Sequence, residues 1–503
     1  MAIVDVNGNP ISSSRRFSQG SDRSSSSRPW QPTRLDDIEK LITPYDRHTL
    51  VAVSRSIIEN FGPVKGAIRQ IAMYSVGDAW KPKNASSSER WRKKAERVIR
   101  EEFCPIADLA GAGRGFTDIL YHSSILLDRD GEVFILLTEH DSGYPALQII
   151  PSHRIRQKDY RHGTDTVESG AYRGATISDG VITNKKGTVI AYRYMVDDDK
   201  FIDISAASIV HCFESDYPEA RRGYPSITHG LNDIRDSMQS HEWERLNMLV
   251  RSSIAMVESN ESGVPDSSLP GSHFDDNRGN DEPQRNTAVK YLDGGAVKHF
   301  RAGTGSKIEV LKHENPGNMW SDYNDRMIRM VFAGIPWPVA LTWLATGQGT
   351  AERKEIELAR RTIKDRQASL RVLAKRCIGY ATQKLKKLGR IGESEDWWRW
   401  DFNMPPILTI DDGRVAKATI ELWRAGLISD DDILSDMGKD EEDYWPRKFE
   451  QAVKKEKAFV ASQAGSGVEL DPRYKGMWTP NDMGDTDKAE EPQTTQDDES
   501  DPD

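Results

Sequence analysis

Apolar residues between positions 36 and 128 recur at steps of three and four: Leu50, Val53 and Ile57, then Val64, Ile68 and Ile71, then Trp91, Ala95 and Val98. That spacing predicts helices with one buried face. From 131 to 213 the period shortens. Val133, Ile135 and Leu137 alternate with their neighbours, Gly187 punctuates, and Val189, Ala191, Tyr192 and Tyr194 follow, which predicts short strands joined by turns. Residues 36–223 therefore read as one mixed unit. After Tyr224-Pro225-Ser226, where proline is tolerated in a first helical turn, Ile227, Leu231, Ile234 and Met238 form one stripe, and Trp243, Leu246, Val250, Ile254 and Val257 form another. The phase slips between Met238 and Trp243. A helix over 224–258, roughly 45 Å long, thus packs against different neighbours along its length.

Residues 258–286 turn polar, rich in Ser, Gly, Asp, Asn and Pro, as a surface insertion does. Strand candidates follow at 288–292, 296–300 and 307–311, the first two joined across Asp293-Gly294-Gly295 as a hairpin, so 259–316 reads as a small β unit carrying an insertion. A second helix is predicted within 317–335, with Met319, Tyr323, Met327 and Met330 on one face, and Pro336 and Pro338 end it. A polar, glycine-containing segment to 350 leads into a long helix, 351–388, in which Ile356, Ala359, Ile363, Leu370, Ala374, Cys377, Ala381 and Leu385 share one side. Residues 351–390 hold thirteen Lys/Arg against four Asp/Glu. Such a face meets DNA phosphates, acidic groups of a neighbouring copy, or water. Residues 391–462 read as short helices, with Gly426 and Gly438 as stops and Ser429 and Asp440 as caps. Residues 1–35, dominated by Ser, Arg and Pro, and the acidic stretch 463–503 carry too few apolar residues to order themselves. The predicted class is α+β, mainly helical, with disordered ends.

Composition changes this picture little, but charge does. The 503 residues suit two to four structural units. No apolar run approaches the roughly 20 residues needed to span a bilayer, and nothing at the N-terminus resembles an export signal, so a cytoplasmic protein without a membrane partner is expected. Cys104, Cys212 and Cys377 are too widely spaced for zinc or a disulfide framework. Of the net charge of −10, residues 481–503 supply nine, leaving a nearly neutral body. A protein that grips DNA shows a basic excess instead. There is no phosphate-binding loop; Gly111, Gly113 and Gly115 lack dinucleotide spacing; the histidines show no metalloprotease spacing. His211, in the run Ile209-Val210-His211-Cys212-Phe213, reads as a satisfied half-buried histidine, and Asp430, Asp431 and Asp432 as complements to a helix dipole. No catalytic site, cofactor or metal is expected.

The run His211-Cys212-Phe213, followed by Arg222-Gly223-Tyr224-Pro225 and a long helix, resembles the lambda-type portal proteins of tailed phages. Residues 318–344 resemble that family's second channel helix with its Gly-Ile-Pro exit, Trp400 to Asp411 its Trp, Pro-Pro and Asp segment, and 412–457, with Ala425-Gly426-Leu427 and Gly438-Lys439-Asp440, its closing helices. The likeness spans roughly 40 to 460. It implies a dodecameric ring, the head-tail connector at a capsid vertex of the virion, assembled in the host cytoplasm, through which double-stranded DNA is packaged and ejected. The parts would be a wing at 36–223, stem helices at 224–258 and 317–335, a clip at 259–316, a tunnel loop at 336–350, a basic wing or crown helix at 351–390 and a crown at 391–462. It also implies partners: the large terminase subunit, a head-completion or adaptor protein, and the major capsid or scaffold protein.

On the same resemblance, Trp343, Thr346, Gly347, Gln348, Gly349 and Thr350 would face DNA, Arg235, Gln239, Arg326 and Arg329 would line the channel, and Lys290, Lys298 and Arg301 would dock partners at the clip. The sequence departs from the family's Tyr-Ser-Ser-x-Arg-like stretch, reading Thr346-Gly347-Gln348-Gly349-Thr350-Ala351-Glu352-Arg353, so the loop role attaches to the segment rather than to a residue. Two other readings stay open. A packaging nuclease or ATPase would need a phosphate loop or convergent carboxylates; a non-enzymatic assembly adaptor or scaffold would remain a monomer.

Overall fold

The structure is a computed structural model that describes residues 42–77, 80–111, 114–158, 164–197, 200–252, 256–259, 299–300, 307–309, 318–343, 350–405, 412–437 and 441–466. The N-terminal arm, the polar insertion, the strand candidate at 288–292 with its glycine turn, Thr346 to Gly349, Gly438, Asp440 and the acidic tail beyond 466 lie outside these residues.

Thr43 starts the first helix, α1 (Pro44–Asn60), by a capping box: its hydroxyl accepts from the Asp46 amide while the Asp46 carboxylate accepts from the Thr43 amide. Then come α2 (Gly62–Val76), β1 (Lys81–Asn84), α3 (Glu89–Val98), α4 (Phe116–Arg129), β2 (Glu132–Glu139) and β3 (Pro145–Ile150). A meander of β4 (Thr164–Thr166), β5 (Thr176–Ser178), β6 (Val181–Thr183), β7 (Val189–Asp197) and β8 (Lys200–Ser205) precedes β9 (Ile209–Phe213). The meander forms one antiparallel sheet, and β2 lies between β3 and β9 in another. Strand β2 is buried on both faces. Val133 and Ile135 pack on the helices, whereas Phe134 packs with Ile150, Ile155, Val181, Tyr192 and Ile209 of the sheets. The alternation visible in the sequence thus separates two cores.

The chain continues as α5 (Leu231–Ser252), β10 (Met256–Ser259), β11 (His299–Phe300), β12 (Lys307–Glu309), α6 (Asn318–Gly334), α7 (Thr350–Lys387) and β13 (Trp400–Asn403). The expected helix over 224–258 is shorter: residues 226–230 form a 3-10 turn, and β10 pairs with β11 and β12. With 22 residues α5 is about 33 Å long. Val257, β-branched, sits in this ladder and not in the second helical stripe. Helix α7 matches its expected span to within one residue and runs through both helical cores, giving Ala359 and Ile363 to one and Leu370, Ala374, Cys377, Ala381 and Leu385 to the other.

Residues 391–403 differ from expectation. They do not open the terminal helical group, because β13 pairs antiparallel with β1, Trp400 opposite Asn84, and Trp400 and Phe402 join the core of the first compact unit, which extends to Gly413. The second unit holds α8 (Asp412–Arg424, all but its first two residues), α9 (Asp430–Asp436) and α10 (Glu441–Ser466). Gly426, at φ 71°, ends the α8 region in the left-handed conformation, and Ser429 caps α9 through Asp432. Helix α10 has 26 residues and is not one of the short helices expected.

Candidate functional site

The Arg222-Gly223-Tyr224-Pro225 turn leads into α5, and the structure shows what each of its first two residues does. Arg222, 4% exposed, gives Nε to Glu132 Oε2 at 2.8 Å and Nη2 to Glu132 Oε1 at 2.6 Å, and Nη1 to the Ile155 carbonyl at 2.9 Å. Glu132 also accepts from Arg47 of α1 at 3.0 Å, from His211 of β9 at 3.1 Å and from the Gly223 amide at 3.3 Å. Asp179 bonds Arg47 and lies 3.5 Å from Arg222. Two guanidinium groups and two carboxylates are thus enclosed together at balanced charge. Burial raises both carboxyl groups, yet the guanidiniums of Arg47 and Arg222 hold Glu132 and Asp179 well below the usual carboxylate range. Burial lowers His211, which as a neutral ring donates from Nε2 to Glu132 and faces the Tyr192 hydroxyl at 3.3 Å. Gly223 is required by space. A Cβ there would stand 1.9 Å from the Gly131 carbonyl oxygen, and one on Gly131, at φ 84°, would stand 2.1 Å from the Tyr224 carbonyl carbon. The turn is therefore pinned by ions and by contact between two backbones.

Sequence reading missed three members of this cluster. Arg47 and Glu132 carry no motif, because the partners just named lie 79 or more residues away. Asp179-Gly180 did carry one: an Asp-Gly pair between the triplets Thr176-Ile177-Ser178 and Val181-Ile182-Thr183, rich in β-branched residues, signals a two-residue hairpin turn, and both residues have positive φ, 46° and 78°.

Beyond the turn, α5 and α6 run antiparallel. Gly230 faces Val331, Ser237 Oγ donates to Asn324 Oδ1 at 3.2 Å, and Trp320 Nε1 donates to Ser240 Oγ at 3.1 Å beside the His241 ring. The first stripe of α5 is buried: Ile227, Leu231 and Ile234 are at most 1% exposed. The second is open, with Trp243 70% and Leu246 60% exposed. Helix α6 corrects its expected face. It buries Asn324, Ile328, Val331 and Phe332, while Tyr323 and Met330 stand 53% and 55% exposed.

Of the residues expected in the channel, Arg235 and Gln239 lie exposed on the same side of α5 as Trp243, and Arg326 and Arg329 lie exposed on α6. The structure brings none of the four into an ion pair with another described residue. Trp343, 45% exposed, donates to Asp325 at 3.4 Å and flanks a groove of about 430 Å³. The groove floor includes Phe61, Met238, Met248, Trp320 and Ile328, and its rim Asn60, His241, Glu242 and Arg245. Thr350 opens α7, whereas Thr346, Gly347, Gln348 and Gly349, and Lys290, Lys298 and Arg301, lie outside the described residues.

The basic helix α7 finds most of its partners within the chain. Arg366 is buried against Asp128 at 2.8 Å, Lys375 approaches Asp401 at 3.7 Å, Lys386 meets Glu393 at 2.5 Å, and just beyond the helix Arg390 meets Glu102 at 2.7 Å. Arg371 also pairs with Asp401, and Lys384 with Glu139. Arg353, Lys354 and Lys364 remain exposed. Burial pushes the thiols of Cys104 and Cys377 up to about 12 and that of Cys212 to about 11, so none is a ready nucleophile. Among the described residues no group of three His, Cys, Asp or Glu side chains is placed to hold a metal ion, and no helix is long and apolar enough to cross a membrane.

A pinned turn feeding an antiparallel helix pair, mounted on a mixed α/β body, defines the class. The family described as phage portal protein, lambda family, matches residues 23–350, and the chain belongs to it. Solved structures similar to the chain include the neck of an empty GTA particle (14% identity, 78% of this chain and 94% of that one, TM-score 0.47) and the neck of a native GTA particle computed with C12 symmetry (13%, 79% and 94%, 0.44). A third is an HK97-family phage portal protein from Corynebacterium diphtheriae (12%, 65% and 88%, 0.30). No curated protein matches.

Proposed function

We infer that the chain is the repeating subunit of a portal ring at a capsid vertex of a virion, a conduit for double-stranded DNA during packaging and ejection. Helices α5 and α6 form the stem; the β10 to β12 region and the segments around it, with Lys290, Lys298 and Arg301, form a clip that docks a terminase and later a head-completion protein. Capsid or scaffold protein surrounds the wing, and residues 336–350 form the loop that follows DNA. The second unit, α8 to α10, is the crown, and Arg235, Gln239, Arg326 and Arg329 are the polar positions offered to the channel. The reading makes the chain a structural component with no catalytic step of its own.

The observation that carries this reading, beside the family assignment, is the stem pair, which leaves two large apolar side chains of α5 and two of α6 uncovered. A near-neutral body also lets DNA slide, since tight phosphate neutralisation would hold it. Electron microscopy and mass photometry of the full chain test it: rings with a central hole are expected. A stable monomer at every concentration favours an adaptor, and ATP turnover by the purified chain favours a packaging enzyme. Replacing Gly347 and Gly349 by bulky residues is expected to spare the ring and reduce DNA packaging; normal packaging with failed assembly would overturn the loop assignment.

A further inference from the structure

We propose that Trp243 and Leu246 of one copy insert into the groove beside Trp343 of the next copy, so that the ring closes through a head-to-tail knob and groove built on the two sides of α5. The proposal rests on the ring reading and adds its contact surfaces. The groove lies against Met238, His241, Arg245 and Met248 of α5, at steps of three, four and three. The knob lies on Arg235, Gln239, Trp243 and Leu246, at steps of four, four and three. At about 100° per residue the two sets are centred roughly 135° apart around the helix. A copy therefore cannot fill its own groove with its own knob. Nor does a two-fold pair satisfy both: there each copy's knob would have to meet the other's groove within one self-complementary patch, and two sets centred so far apart around the helix do not share a patch. What remains is a head-to-tail contact in which every copy gives and receives, which closes into a ring when the rotation between copies allows.

The chemistry of the two faces matches. Trp243 and Leu246 are exposed large apolar groups one turn apart, the kind of anchor that dominates an interface when a pocket desolvates it. The groove offers an aromatic and thioether floor, Phe61, Met238, Met248 and Trp320, of about 430 Å³. Arg235 flanks the knob, and the groove lining carries Glu242 and Glu244 against Arg245, so the groove's acidic excess is opposite in sign to the charge beside the knob. The phase slip in the sequence has the same meaning: Ile227, Leu231 and Ile234 serve the chain's own core, and Trp243 and Leu246, which follow, serve another copy.

The test uses the full-length chain, with assembly read by mass photometry and folding by circular dichroism. Wild type is expected to form rings. Trp243→Glu and Leu246→Glu are each expected to fold normally and to assemble at least about tenfold more weakly, the loss of one buried anchor. Arg235→Glu and Glu242→Arg are each expected to weaken assembly, and their combination to restore it. A mixture of Leu246→Cys and Asn60→Cys chains is expected to yield disulfide-linked pairs on mild oxidation. Rings from wild type together with undiminished rings from Trp243→Glu, or no cross-link between mixed chains within rings, would overturn the knob and groove and leave the portal reading standing. A wild-type chain that stays monomeric at every concentration would overturn both. A disulfide formed within single chains carrying both cysteines, at high dilution, would show that the two faces meet inside one copy and would also overturn it.

Discussion

The turn into the stem and the stem itself sit next to one another and are built on opposite terms. At the turn, Arg47, Glu132, Asp179 and Arg222 are each less than 9% exposed and answer one another's charge and hydrogen-bonding capacity inside one chain. Some twenty residues later, Trp243 and Leu246 stand mostly in solvent. The first region is complete in a single copy. The second leaves its large apolar groups uncovered in a single copy, and the ring proposed above is what would cover them. The contrast also fits where the ions lie: an enclosed, fully bonded charge cluster fixes direction, and under the proposed ring reading α5 must leave the body at a set angle for copies to close.

The contrast predicts that damage at the turn is felt by the isolated chain. Removing one partner of a buried ion group strands the rest, and here Glu132→Ala would leave two guanidiniums sharing Asp179 and deprive His211 and the Gly223 amide of their acceptor. A loss of about 3–5 kcal/mol is expected, measured by urea unfolding of the monomer; a loss below 1 kcal/mol would mean that the cluster does not hold the turn. Gly223→Ala comes next. Its methyl meets a backbone oxygen at 1.9 Å, an atom with no rotamer to escape by, so the chain must shift at a cost of about 1–3 kcal/mol, read the same way.

These two regions also divide what the sequence discloses. Periodicity located α1, α2, α6 and α7 well, because each has a face that is buried throughout. It overextended α5, since Ile254, Ala255, Met256 and Val257 form a short apolar run that satisfies either a helix or a strand, and only pairing with β11 and β12 decides for part of it. It assigned α6 the wrong buried face, because Tyr323 and Met330 look like core and stand outside, while Asn324 looks like surface and is buried by its bond to Ser237. Trp400 was read with the last helices since no local pattern reveals a partner strand more than 300 residues earlier. For the same reason the basic excess of α7 gave no clue that Asp128, Glu139 and Asp401 answer it.

Acid should loosen the turn before it affects the stem. His211, His48 and His153 are each lowered from 6.5, burial being the largest cause in all three. A lowered histidine binds its proton less readily folded than unfolded, so stability is full above the unfolded value and falls as pH drops below about 6.5. The thermal midpoint is expected to fall by several degrees between pH 7.5 and 5.5. His211→Gln keeps a donor for Glu132 and removes one titrating group of the three, so the fall is expected to shrink. An unchanged slope in that variant would show that His211 is not sheltered by the cluster.

The smallest effect expected is also the one that separates the regions most sharply. If Trp243 belongs to an interface and not to the chain's own fold, then Trp243→Ser in a dilute, monomeric sample removes almost no buried area, because the side chain is 70% exposed there. Its unfolding free energy from urea titration should stay within about 0.5 kcal/mol of wild type, the ordinary range for a surface substitution, although the same position would dominate assembly. Stability measured against protein concentration makes the point directly: wild type should gain stability as copies associate, since binding to the folded state alone shifts the folding equilibrium, and the variant should not. A loss above about 1 kcal/mol in the monomer would instead tie Trp243 to contacts within one chain, and the stem would then be as self-contained as the turn that feeds it.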